Sequence, residues 1–313
     1  MGMYWRGQHK FKNVHFVPDA IITGFGVEYP GQHVYYVDDT AGSDSADGLS
    51  VQTPLYTIEA AIAKCTANAY DAIVVMQKSP STHATGESWP IDLDKQGILL
   101  TGLYSRGLVS DSGFGPGTAD ENCVNIGANH VAVTNLYLQV HSGGTLGNVV
   151  STDLAAGSGV YGFTLRNCWV GLQNTALYGF YTGDSVDWPY LLIEGCTFGV
   201  PNASNYTNAI RLFNASFGMI RNNIIYPASS YCISLLASCG NVGIFDNKIT
   251  PSADTDGYGI YCTAGSSDNF IAGNMSGYGA GTATNHPFFD AGAANNNWGW
   301  NTEQEHETLP DAT

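Results

Sequence analysis

Two carboxylates flank an indole in Asp184-Ser-Val-Asp187-Trp188, and a third, Glu194, follows close behind. Cleavage of a glycosidic bond uses two carboxyl groups roughly 5–10 Å apart, and an aromatic ring beside them stacks on the apolar face of a sugar. Asp184, Asp187 and Glu194 are therefore the candidate catalytic residues. The plainer reading is a solvated loop between strands with Trp188 packed inward. Tyrosine-rich stretches at Tyr178–Tyr181 and Tyr258–Tyr261 supply further rings. Trp188, Tyr178, Tyr181, Tyr258 and Tyr261 are the candidate carbohydrate-binding residues, with core packing or an oligomer interface as the competing use.

Metal chemistry finds little footing. Asp254-Thr-Asp256-Gly257 lacks the Glu at position twelve of a calcium loop and has Ser252 at position one. The Asp-rich loop Asp38–Asp47 reads as turn chemistry. The seven cysteines form no CxxC pair and read as buried free thiols. The eight histidines are scattered without spaced partners. No metal and no cofactor is expected.

These residues must be positioned by a degenerate repeat. Val133–Leu138, Leu165–Val170, Ile193–Phe198, Ile220–Ile225, Ile244–Ile249 and Ile271–Ser276 align, starting 32, 28, 27, 24 and 27 residues apart. The first position is branched aliphatic, the third is Asn, Gly or Asp, and the sixth is apolar in all but the last. Asn, Gly and Asp tolerate a left-handed backbone, so the third position marks a sharp bend between two short strands. The fourth runs Leu136, Cys168, Cys196, Asn223, Asn247, Asn274. Stacked coils would make it a ladder in which Asn amides bond along the file. A second strand per turn lies at Leu177–Tyr181, Thr207–Arg211, Ser230–Ser234 and Gly257–Tyr261. The pattern predicts an all-β chain: a right-handed parallel β-helix, a single-stranded solenoid about 40 Å long at ~4.8 Å per coil. In the repeat, Arg166 and Arg221 share position two with Glu194 between them. Such a stack suits a lyase that needs Arg near its base, and equally an ordinary cross-strand ion pair.

The N-terminal coil has its own logic. A strand at Val34–Val37 enters the Asp-rich loop, and Thr57 reads as the N-cap of a short helix with Ile58, Ala61, Ile62 and Cys65 on one face. Such a helix caps the open end of a solenoid core. Val37-Asp38, Gly42-Ser43-Asp44, Asp47-Gly48-Leu49, Thr53-Pro54 and Thr57-Ile58-Glu59-Ala60-Ala61-Ile62 occur in the order that resembles the entry coil of pectate-lyase-like parallel β-helix proteins. The chain departs from that pattern at Tyr70-Asp71-Ala72-Ile73 and has no Pro-Gly after Val75. The resemblance implies a fold shared by polysaccharide lyases, hydrolases, epimerases, phage tailspikes and virion proteins. Fold alone does not choose among them.

Composition narrows the classes. Eleven basic against 27 acidic residues in 313 give a net charge of −16, which argues against nucleic acid and anionic membranes as partners. No apolar run approaches a membrane span, and the first residues lack the apolar core of a secretory signal. The division expected is an N-terminal arm at 1–34, a β-helix at 35–300 with its capping coil at 35–76, and an acidic flexible tail at 301–313. Trp298 and Trp300 read as a plug for the last coil or as a trimer contact there. Trp5, Arg6, Lys10, Phe11 and Lys12 make the arm basic and aromatic, a candidate attachment segment for other virion proteins. The leading expectation is a bacteriophage-type virion structural protein, a spike, fibre or capsid decoration assembled in the host cytoplasm and contacting host surface polysaccharide. The resemblance to tailspikes implies a homotrimer. The alternatives are a polysaccharide lyase or glycoside hydrolase, and a non-catalytic carbohydrate-binding protein.

Overall fold

The computed structural model describes residues 33–77, 86–103, 113–117, 120–140, 147–171, 176–199, 206–226, 228–250, 257–277, 287–291 and 295–304. The attachment candidates Trp5, Arg6, Lys10, Phe11 and Lys12, the Asp254–Asp256 loop and residues 305–313 lie outside them.

The chain coils into the right-handed parallel β-solenoid that the repeat predicts. Among the described residues, ten strands stack in a first sheet, from Val34–Asp38 and Ala72–Gln77 up to Asn297–Gly299. Eight short strands form a second sheet, from Gly113–Phe114 to Thr302–Gln304, and eight a third, from Ile91–Leu93 to Phe288–Asp290. Neighbours in each sheet pair in parallel with their counterpart one coil away. At ~4.8 Å per strand the first sheet is about 43 Å tall.

The repeat positions have the roles their residue types imply. First-position Val133, Leu165, Ile193, Ile220, Ile244 and Ile271 pair in register and are fully buried. Third-position Asn135, Asn167, Gly195, Asn222, Asp246 and Gly273 all have φ between 53° and 71°. This left-handed bend turns the first sheet into the second, and Asn, Asp and Gly adopt it at least cost. Trp300 holds the same place in the last coil, with φ 51°. It is 90% exposed and does not plug the core. The bend demands an outward side chain there, so only Trp298, paired to Ile271, packs on the core. The coil then runs on to Gln304, past the boundary expected at residue 300.

Fourth-position Asn223, Asn247 and Asn274 are buried and continue into Asn301. Asn247 Oδ1 accepts from the backbone N–H of Asn223 at 3.0 Å and from its amide at 2.9 Å, while Asn247 Nδ2 donates to Ile220 O at 3.0 Å and Asn274 Oδ1 at 2.9 Å. Asn274 and Asn301 repeat the arrangement. Every polar group of an inward-facing amide is thereby satisfied without water. A second file, Asn269 and Asn296, bonds likewise ahead of the first sheet. Their 27-residue spacing was its only signal in the sequence.

The cap is as expected. The helix is Ile58–Lys64, with Thr57 Oγ1 accepting from Ala60 N at 3.0 Å and Ile58, Ala61 and Ile62 buried. Lys95 Nζ closes the other end, donating to the carbonyls of Ile62, Ala63 and Cys65 at 2.7–2.9 Å. The Asp-rich loop is structural: Asp44 accepts from the backbone of Tyr56 and Thr57, and Asp38 from Thr40 and Ala41. All seven cysteines are free and buried.

Candidate functional site

The third sheet brings the tyrosine stretches onto one side of the rod. Each of its long strands sends two consecutive residues into the core: Gly179-Phe180, Ala209-Ile210, Cys232-Ile233 and Gly259-Ile260. Two inward residues in a row bend the strand, and the residues before and after them line up in two neighbouring files, some at the surface and some, like Ser234, buried. Tyr178, Asn208, Tyr231 and Tyr258 form one file, in register. Tyr181, Arg211, Ser234, Tyr261 and Phe289 form the next. The four tyrosines singled out in sequence thus share one face, although they are 83 residues apart at the extremes.

Rings cover its C-terminal half. Tyr231 stacks on Tyr258 with centroids 5.3 Å apart, and Tyr261 on Phe289 at 5.4 Å with planes 6° apart. Tyr231 and Tyr261 join the two files at 4.6 Å. All four are half-buried, so each keeps an accessible ring surface.

Below them sits Arg211. Its guanidinium lies 4.8 Å from the Tyr178 ring centroid, 5.3 Å from Phe213 and 5.7 Å from Tyr181, a cation held by rings. It donates to the Tyr178 hydroxyl, and the Tyr181 hydroxyl donates to Asp184. Burial, then this bond to the Asp184 carboxylate, pushes the Tyr181 phenol well above its usual range. Arg211 Nε and the Oδ1 of Asn208, a residue 3% exposed, are buried without a hydrogen-bond partner. Tyr178 is only 8% exposed. Lying beneath the guanidinium, it supports Arg211 and offers little ring for a sugar.

The same face continues toward the N-terminus through a polar file that sequence reasoning missed. Asp92 pairs with Asn125 and Asn125 with Ser151, whose Oγ donates to Asn125 Oδ1 at 3.0 Å. Burial, followed by the nearby Asp153 charge, raises the Asp92 carboxyl above its ordinary value, against a hydrogen bond from Asn125. In sequence Asp92 is one acid among 27.

Three candidates fall elsewhere. Trp188 is fully buried, edge-on to Phe163 and Phe180 at 5.6 and 5.4 Å, and donates to Thr182 O at 2.7 Å. It is a core residue, not a sugar-stacking ring, because its strand faces the interior. Asp187 is exposed on the turn before it, bridged through its backbone to Gly159. Glu194 stands on the first sheet, 2.8 Å from Arg221 Nε and opposite Arg166. Asp184, Asp187 and Glu194 therefore do not meet in one catalytic cluster. Glu194 and Arg221 form a cross-strand ion pair on the sheet surface, with Arg166 in register one coil away. Among the described residues no group of three or more His, Cys, Asp or Glu is arranged to hold a metal ion.

No family model and no curated protein matches the chain. Solved structures of similar fold include a GH136 lacto-N-biosidase from Eubacterium ramulus. Its selenomethionine derivative is 12% identical, with 87% of this chain and 68% of that chain covered at a TM-score of 0.47. An alginate lyase from Paenibacillus sp. str. FPU-7 is 14% identical, with 79% and 96% covered at a TM-score of 0.30.

Proposed function

We propose that this protein binds polysaccharide along the outer face of the third sheet. The observation that carries the reading is the pair of files in which Tyr231, Tyr258, Tyr261 and Phe289 lead into Arg211, Tyr181 and Asp184. Half-buried rings repeated every ~4.8 Å suit a linear glycan running along the rod, with rings meeting apolar sugar faces and the polar end meeting hydroxyls or an acidic group. Native electrophoresis through gels carrying xylan, hydroxyethylcellulose, polygalacturonate or alginate tests it. The native chain is expected to be retarded by at least one, and Tyr258→Ala with Tyr261→Ala to abolish most of that retardation. Unchanged mobility of the variant would remove this face from recognition.

A cleaving enzyme is the second reading, favoured by Asp92. A carboxyl raised above its ordinary value is the form used for general-acid protonation of a glycosidic oxygen. Asp92 shares the sheet face with the rings and has Asp153 close enough to act on its titration. Release of new reducing ends from the retained glycan, lost in Asp92→Asn, would establish it. The virion reading, which draws on the missing secretory signal, the separate N-terminal arm, the acidic composition and the lack of an acid-base constellation in the sequence, gains no support from this face.

A further inference from the structure

Two residues before eight of the ten strands of the first sheet the backbone enters the left-handed region again, at a second corner of the rod. Gly97, Gly162, Asn241 and Asp268 occupy four of these places, with φ from 56° to 82°. These are the residue types that adopt such a backbone readily. Tyr190 and Phe217 occupy two adjacent places, at φ 61° and 53°, where a large side chain is strained. The backbone does not call for them. Tyr190 N donates to Ser216 O at 2.8 Å and Phe217 N to Gly240 O at 3.2 Å, bonds that any residue makes.

Core packing does not call for them either. Tyr190 is 62% exposed and Phe217 57%. Their rings are near parallel, 21° apart, with centroids 5.7 Å apart. Rings in full face contact stand about 3.5–4 Å apart, so this pair is slipped and each ring leaves part of its face open. The aromatic side chains at two other places have a local use: Tyr70 lies over Gly97 and His130 over Gly162. Tyr190 and Phe217 lean on each other, and exposed Asn241 and Asp268 follow them along the same corner.

We infer that Tyr190 and Phe217 form a second glycan-binding platform, which stacks the apolar faces of neutral pyranose rings and is separate from the third-sheet face. Exposed rings at successive coils, followed in line by an amide and a carboxylate, match a ligand with apolar ring faces and peripheral hydroxyls. Strained backbone and exposed apolar rings each point to a functional surface.

The test is the double variant Tyr190→Asn with Phe217→Asn, which copies the residue at Asn241. Asn suits the left-handed backbone, so the variant is expected to melt at the same temperature as the native chain or higher. Its retardation by xylan, hydroxyethylcellulose or galactomannan is expected to fall by about a third, the third-sheet rings holding most of the remainder. A lower melting temperature would overturn the inference by making the pair structural. Retardation equal to the native chain, or no retardation of the native chain by any of the three, would also overturn it. So would a native oligomer, seen by light scattering, that dissociates in the variant, since the pair would then join copies of the chain. Tyr258→Ala with Tyr261→Ala, run alongside, separates the two sites: loss in that variant alone leaves the third-sheet face standing and removes the corner.

Discussion

Single side chains on this rod are read correctly only with their coil neighbours in view. Asp184 is a hydrogen-bond acceptor for Tyr181, Glu194 a partner for Arg221, and Trp188 a core ring. Asp92, which carries no motif, is an acid whose carboxyl the fold raises. Its carboxyl is raised, so between its ordinary value of 3.8 and the raised one the native state binds more protons than the unfolded chain. Stability contributed there falls as pH rises through that interval. Asp92→Asn is therefore expected to melt above the native protein at pH 7 and to lose the advantage below pH 3.8. Equal melting temperatures across that range would show that Asp153 and burial do not act on Asp92.

Among the elements, the asparagine file carries the most cooperative bonding. Removing Asn247 leaves four partners short: the Asn223 amide and backbone N–H, Ile220 O and Asn274 Oδ1. Each buried group left unpaired costs about 1–3 kcal/mol, and water can relieve some of them. Asn247→Ala is expected to lose roughly 4 kcal/mol in urea unfolding. Asn301→Ala, at the half-buried end of the file, is expected to lose less than half as much. Equal losses would mean that the file acts as isolated side chains. The same geometry places Cys168 and Cys196 on successive rungs lower in the ladder, as neighbours by stacking.

At the scale of the whole molecule, a solenoid has two ends to close. The Ile58–Lys64 helix covers the first coil. At the other end, among the described residues, Trp298 packs on the core beside Phe288, with ring centroids 6.1 Å apart, and its Nε1 donates to Asp290 at 3.2 Å. Trp298→Ser is expected to cost about 2 kcal/mol, less than a fully buried Trp because the ring is half exposed, and to raise dye binding to exposed apolar surface. A loss under about 0.5 kcal/mol would assign closure of that end to another part of the chain.

The repeat was legible because it is a local rule applied many times. A branched aliphatic, a residue that bends left-handed and an amide two short steps apart are dictated by the cross-section of one coil, so Ile220–Ile225 already contains the turn, the core contact and the ladder rung. The helix cap was legible for the same reason, since Thr57 and its partner Ala60 lie within one turn. Site geometry was not. Which tyrosines share a face depends on strand register between coils, and Tyr178 and Tyr258 meet in one file only after two intervening coils stack between them. Whether Trp188 points in or out depends on a single step of strand phase. The order of residues determined the coil; the stacking of coils decided which side chains became a surface, because only there do residues some 27 positions apart come within one strand spacing.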